Sequence, residues 1–268
     1  MCHAEQRKGV TIKMNIVICV KEVRAELVFS SVKQKYVINP FDYYAIEQAK
    51  MLGQSSDRDL EITALIMGVI DQRIVTELNA LGCKRIIYLS DTSFAGADTL
   101  ATSYVLAKAL SEKIDYDYIF CGDHTIDGET GQVGISLAER LHIRYVGNVE
   151  SVKIVESQLT CELIEDGWKS LYQLEGKAVI TFRNCTIRET KLTLMQIKRA
   201  KSVPYEVWGS NEIGADLNRC GVRGSRTKVV ATRPLTDFKQ GSKITKYLEG
   251  DVLDNSLKIL SMAGGIHG

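Results

Sequence analysis

The chain has 268 residues, 45% of them hydrophobic and 25% charged, which suits one sizeable α/β domain with an appendage or two small domains. Its 34 basic residues balance 33 acidic ones, so bulk electrostatics supplies no nucleic-acid or anionic-membrane partner. Seven scattered cysteines (Cys2, Cys19, Cys83, Cys121, Cys161, Cys185, Cys220), none spaced as CxxC, argue for reduced thiols rather than disulfides or zinc.

Residues 1–13 read as an irregular extension without the apolar stretch of a signal peptide, and no apolar run approaches the roughly 20 residues of a membrane span. The expectation is a cytoplasmic protein, or a matrix protein in an organelle, with no direct membrane insertion. From residue 14 to 183 the pattern is that of a nucleotide-binding α/β domain. An apolar strand at 16–20 precedes a polar excursion at 24–35; Asp42 of the Asn39-Pro40-Phe41-Asp42 turn is expected to cap a helix over 43–52. A strand at 62–67 ends at Gly68, a helix follows at 71–81, a strand at 85–89, a helix at 98–113 with apolar residues at three-to-four spacing, and a strand at 116–121. A glycine-bearing turn, 122–134, leads into a helix at 135–141. Segments 149–155, 158–164 and 170–174 then alternate with the two-residue period of antiparallel strands, turning at Asp166-Gly167, and form a small insertion at about 149–175. A buried strand at 178–182 completes five core strands. The fold class is a Rossmann-like, doubly wound parallel sheet. From Arg183 the chain loses regular pattern and turns basic (Lys191, Lys198, Arg199, Lys201, Arg219, Arg223, Arg226, Lys228), so 184–268 reads as a partner-docking loop and extended C-terminal arm.

A turn between strand and helix at the carboxyl end of such a sheet is where these folds bind ligands. Gly128, Gly131 and Gly134 let backbone approach a ligand, and the following helix offers unpaired N–H groups and a positive dipole end to a phosphate. Thr130 and Gln132 add side-chain hydrogen bonds, and Asp127 can accept from ribose hydroxyls or cap the turn. The same glycines would serve tight turns in a loop without a ligand. Neither GxxxxGK[ST] nor a GxGxxG after the first strand is present.

Three ordered motifs carry a resemblance. The segment Met14-Asn15-Ile16-Val17-Ile18-Cys19-Val20-Lys21-Glu22-Val23 is similar to the opening strand of electron-transfer flavoprotein beta subunits. The segment Asn39-Pro40-Phe41-Asp42-Tyr43-Tyr44-Ala45-Ile46-Glu47-Gln48-Ala49 resembles their second motif, and the 122–134 loop their nucleotide signature. The match spans about residues 14–235. It implies a Rossmann-like domain with an antiparallel insertion and an arm that embraces an alpha subunit. It also implies nucleotide contacts from Cys19, from Asn39, Pro40, Phe41 and Asp42, from Met67, and from Gly122, Asp123, His124, Thr125, Ile126, Asp127, Gly128, Glu129, Thr130, Gly131, Gln132 and Val133. In that scheme Cys19 and Met67 flank an adenine, the Asn39 turn fixes its edge, and the loop holds the phosphates.

The family divides between members holding structural AMP and members holding a second FAD that takes hydride from NADH and bifurcates its electrons. The stretch Asp127-Gly128-Glu129-Thr130-Gly131-Gln132-Val133-Gly134 is similar to the DGxTxQVG form of the FAD branch, and Phe94 to Ser103 resembles a stretch used there near the flavin ring, with Asp98, Thr99 and Thr102 implied as contacts. Asp98 could equally serve as a simple helix cap. Departures from the pattern are Asp123 in place of a basic residue, His124 in place of Gln, Ile135 in place of Pro, and a shortened 24–35 loop. A carboxylate at 123 is unfavourable beside a flavin that must become anionic. The resemblance further implies an acyl-CoA dehydrogenase-type partner docking near 192–201, a low-potential acceptor such as ferredoxin, and contact of Gly221 to Thr227 with the alpha subunit. A nucleotide alpha-hydrolase or ATP pyrophosphatase relative would need an SGGxDS-type loop after the first strand, where Val20-Lys21-Glu22-Val23 stands.

Overall fold

The computed structural model describes residues 13–29, 35–55, 59–186, 193–195, 198 and 203–227. The N-terminal extension, most of the 192–201 segment expected to dock a dehydrogenase and the expected arm beyond 227 lie outside them. The chain divides into two units, 1–228 and 229–268, and the described residues all belong to the first.

Its elements in chain order are β1 (Lys13–Val20), β2 (Glu22–Arg24), β3 (Tyr36–Ile38), α1 (Pro40–Ser55), β4 (Asp59–Met67), α2 (Gln72–Leu81), β5 (Arg85–Leu89), α3 (Thr99–Lys113), β6 (Tyr118–Gly122), α4 (Val133–Leu141), β7 (Arg144–Val155), β8 (Gln158–Glu165), β9 (Trp168–Leu174), β10 (Ala178–Phe182), β11 (Glu206–Trp208) and the short turn α5 (Gly221–Gly224). The sheet runs β11-β5-β4-β1-β6-β10-β7-β8-β9, and a separate antiparallel pair joins β2 to β3. From β11 through β7 every pairing is parallel; β8 and β9 add antiparallel strands at the far edge.

The central strands are apolar on both sides because both are covered. Ile16, Ile18, Ile66 and Phe120 pack with Tyr43, Ile46 and Leu52 of α1 and Ile74, Val75 and Leu78 of α2. Val17, Cys19, Leu65 and Ile119 pack on the opposite face with Val105, Leu106 and Leu110 of α3 and Leu137 and Ala138 of α4. The helices therefore lie on both faces of one sheet. Helix ends follow local chemistry: Asp71 accepts the N–H of Arg73 at the start of α2, and Gly82 ends that helix at φ 107°.

Two further parallel strands extend the five expected. The first half of β7 pairs in parallel with β10, Arg144 opposite Ala178 and Val146 opposite Ile180, before a register shift at Val149 turns the same strand toward β8. The partly buried stretch 144–147 has no apolar run to announce it. Within the basic stretch expected as an arm, Glu206–Trp208 forms β11 against β5, a strand of three residues that periodicity cannot detect. Helix α1 starts three residues earlier than expected, at Pro40, whose fixed φ suits a first helical position. Among the described residues no helix is long and apolar enough to cross a membrane.

Candidate functional site

Strand order reverses beside β1: the chain passes from β1 through β4 to β5 on one side, then returns to place β6 on the other. Ligands of open α/β sheets bind in the crevice outside the carboxyl ends of the strands at such a reversal. The segments that leave β1 and β6 here are Lys21 onward and the loop 123–132.

Asp42 ties the two strand ends together. Its buried carboxylate accepts the N–H of Lys21 at 2.8 Å and that of Gly122 at 2.9 Å, so it lies inside the first turn of α1 and does not cap the helix as expected. Burial pushes this carboxyl up to about 7, against the two N–H donors and Asn39, which favour the carboxylate. Asn39, fully buried, donates to the carbonyl of His124 at 2.9 Å and accepts the N–H of Ile126 at 3.4 Å. Pro40 accepts the N–H of Thr186 on its carbonyl, and the Phe41 ring lies 6.0 Å from the His124 ring.

The loop is held at several further points. Lys21 Nζ meets Asp127 Oδ1 at 2.7 Å and Thr125 Oγ1 at 3.5 Å. Partial burial would raise the Asp127 carboxyl, but the hydrogen bonds of Lys21 and Thr125 and the Lys21 charge outweigh it and the group is lowered. The carbonyl of Thr125 accepts the N–H groups of Gly128 and Glu129, closing a turn, and Ile126 packs on Val23 and Val37 of the β2–β3 pair and on Ala25 just after β2. Glu129 and Gly131 take left-handed φ of 49° and 61°, a conformation that costs glycine nothing. Residues 127–130 and Gln132 face solvent.

The two departures at 123 and 124 account for each other. Asp123 accepts the hydroxyl of Thr181 at 2.8 Å and pairs with His124 Nδ1 at 2.7 Å, while Thr181 also contacts the Tyr145 hydroxyl at 3.1 Å. The carboxylate is thereby turned into β10 and β7 and is not presented bare to the crevice.

Helix α4 begins at Gln132 without a side-chain cap, whereas α2 and α3 are capped by Asp71 and Asp98. Its first N–H groups are thus open to an anion. Gly134 lets this end sit on β10: a Cβ there would fall 2.4 Å from Thr181 Cγ2. Gln132 Oε1 accepts the Thr99 hydroxyl at 3.0 Å, which brings the start of α3 to the same place.

The residues singled out from sequence fall into three groups. Asn39, Pro40, Phe41 and Asp42 meet Gly122 through Ile126. Cys19 and Met67, at the ends of β1 and β4, pack with Val133 on the α3–α4 face, where Cys19 is also in register with Cys121; the contact with Cys19 and then burial hold the Cys121 thiol well above its usual range. Thr99 reaches Gln132, with Thr102 one turn on. Asp98 is engaged otherwise: its carboxylate caps Ala101 N at 3.0 Å and accepts the N–H groups of Arg226 and Thr227 at 2.7 and 3.0 Å and the Thr227 hydroxyl at 3.2 Å. Burial opposes its ionisation, but these donors hold it low. The Thr130 side chain is exposed. Sequence reasoning missed Lys21, whose place directly after β1 marks it, and Thr181 and Tyr145, which no local signal marks.

The features of this region that suit a nucleotide are the apolar Cys19 and Met67 at the strand ends and the uncapped amino end of α4, whereas the Asn39 amide is spent on holding the loop at His124 and Ile126. The description "Electron transfer flavoprotein domain" belongs to the family model that matches residues 26–212. The "Electron transfer flavoprotein subunit beta" of Clostridium acetobutylicum is 32% identical over 260 residues, covering 91% of this chain and 94% of that protein. Its namesake in Thermoanaerobacterium thermosaccharolyticum is 33% identical over 250 residues, covering 87% and 92%. "Protein FixA" of Azorhizobium caulinodans is 31% identical over 234 residues, covering 81% and 83%.

Proposed function

The chain belongs to the electron transfer flavoprotein beta-subunit family, and from that premise we propose that it holds FAD in the β1–β6 crevice as half of a heterodimer with a larger alpha subunit. The observation that carries the reading is the uncapped amino end of α4 at the reversal of strand order, reached by a loop pinned to both Lys21 and Asn39.

The residues of this chain bind and orient. The open amides of α4, with Gly131 and Gln132, would meet the phosphates through fixed dipoles, and Thr130 would supply a further donor. Cys19 and Met67 would give the adenine its apolar support, and Asn39 would act indirectly, by holding the loop at His124 and Ile126. Thr99 and Thr102 line the flavin end, and Asp98 positions the 225–227 segment beside it. His124 Nδ1 and the Thr181 hydroxyl hold the Asp123 carboxylate, so that it would not stand bare beside a reduced flavin. Bound FAD supplies the redox chemistry, two-electron exchange with NADH and one-electron exchange with an alpha-subunit flavin, so no acid, base or nucleophile of this chain is required. The partners this reading implies are an acyl-CoA dehydrogenase-type enzyme and a low-potential acceptor such as ferredoxin. The setting is the cytoplasm, in keeping with scattered cysteines that lack CxxC spacing.

The test is to purify the heterodimer, extract its nucleotides and count them. FAD in excess of one per heterodimer, reducible by NADH, supports the reading. One FAD accompanied by AMP replaces it with a beta subunit whose nucleotide is structural.

A further inference from the structure

Two arginines share one aromatic ring on the α3–α4 side of the sheet. The Tyr104 ring of α3 is buried, and its hydroxyl accepts the N–H of Asp216 at 2.8 Å, which fixes its orientation. Arg219, from the 3-10 turn Leu217–Arg219, lies with Cζ 4.1 Å from the ring centroid; Arg140, from the last turn of α4, lies 5.8 Å from it. Arg140 is braced by two hydrogen bonds, Nε to Ser103 Oγ at 3.0 Å and Nη2 to the carbonyl of Leu100 at 3.1 Å.

Neither guanidinium has a carboxylate within ion-pair distance among the described residues. The acids of the neighbourhood are already engaged. Asp98 accepts four donors, and Asp216 caps Asn218 N at 2.9 Å. Burial and then the Arg219 charge hold Arg140 below the usual guanidinium range, the sign of two like charges kept close. A ring quadrupole attracts each cation weakly and does nothing to separate them. Arg219 keeps its fork of donors facing solvent, and Arg140 keeps Nη1.

We propose that Arg140 and Arg219, held over Tyr104, form an oxyanion site for the phosphoryl group of a soluble ligand, separate from the phosphates at the amino end of α4. The fork of Arg219 and the Nη1 of Arg140 supply donors to the oxygens of a tetrahedral group, and two positive charges match a phosphate dianion better than a single carboxylate. The bracing on Ser103 and Leu100 presets Arg140, so little side-chain freedom is lost on binding. The Leu100 carbonyl is one residue from Thr99, which bonds Gln132, so the site borders the crevice and lies within reach of a second phosphorylated molecule meeting the bound nucleotide. The site stands on these residues whether or not the crevice holds FAD.

The test uses the full chain with its partner subunit and inorganic pyrophosphate as probe, by titration calorimetry and thermal shift at constant ionic strength. The expected result is one binding event, weakened at least tenfold in Arg140→Gln and in Arg219→Gln, with extracted nucleotide content equal to that of the unaltered complex. Arg219→Gln guards against misfolding, since this exposed side chain donates to no described neighbour. Pyrophosphate affinity that is absent, or equal in all three proteins, overturns the site. Loss of the extracted nucleotide in Arg219→Gln overturns its separateness. A complex that yields no adenine nucleotide yet binds pyrophosphate through both arginines supports the site and overturns the flavin reading instead.

Discussion

Lys21 Nζ and Asp127 Oδ1 meet at 2.7 Å although 106 positions separate them, and the ion pair joins the exit of β1 to the tip of the β6 loop. Both side chains are substantially exposed, so Lys21→Met is expected to change folding stability by less than about 1 kcal/mol. The loop would lose a tether, and nucleotide affinity should fall by about tenfold, since ordering then has to occur on binding. Urea denaturation and nucleotide content per purified complex measure the two effects separately. A large stability loss with unchanged nucleotide content would contradict the assignment.

Asp42→Ala is expected to be severe. It strips the acceptor from two N–H groups, of Lys21 and Gly122, at a cost of about 2–6 kcal/mol by urea denaturation, from about 1–3 kcal/mol for each unsatisfied donor.

The same group sets a pH dependence. The folded carboxyl sits at about 7 against an ordinary value of 3.8, so between those values the folded state keeps a proton that the unfolded chain releases. Stability from this group is complete below about pH 4 and falls as pH rises toward 7. Glu22 moves the same way, raised to about 7 by burial against the Tyr88 hydroxyl that donates to it at 2.8 Å. Urea midpoints at pH 4.5 and pH 7.5 should therefore differ, and Glu22→Gln should reduce the difference. A midpoint that rises through this window would refute the assignment.

Gly122→Ala, at the end of β6, and Gly128→Ala, in the loop that follows it, should behave differently. A Cβ at 122 would fall 2.5 Å from Phe41 Cβ and 2.9 Å from the Asp42 backbone nitrogen, forcing α1 away at a cost of about 1–3 kcal/mol. At 128 the nearest atom is the Thr125 hydroxyl at 3.3 Å, in an exposed turn, and the change should stay within about 0.5 kcal/mol. Thermal denaturation of the two variants makes the comparison.

Asp98→Ala removes a helix cap and the acceptor of Arg226 N and Thr227 N at once. Stability should drop by about 1–2 kcal/mol. Limited trypsin digestion should show faster cleavage after Arg223 and Arg226, whereas unchanged cleavage there would place the anchor of this segment elsewhere.

Much of the frame was legible because its signals are local. The apolar run of β1, the Asp98 cap and three-to-four spacing of α3, and the glycine-bearing exit from β6 each follow from a few neighbouring residues. What stayed hidden depends on distant contacts. Asp42 reads as a helix cap by its position after Asn39-Pro40, and only the approach of Lys21 and Gly122 makes it a brace between strands. The carboxylate of Asp123 looked exposed to the crevice because Thr181, 58 positions away, leaves no trace in the loop. Three residues of β11 are too few for a period, and the pairing of Arg144 to Val146 with β10 rests on backbone hydrogen bonds that any sequence could make.

Strand β7 belongs to two pairing regimes at once, and Val149 is where they join, opposite Phe182 on one side and Leu163 on the other. Phe182 in turn accepts the N–H of Asp123. The hairpin at the rim is therefore no detachable ornament. Excising it would tear out half of a strand whose other half pairs with β10, and a molecule that grips the hairpin pulls, through Phe182, on the root of the 123–132 loop.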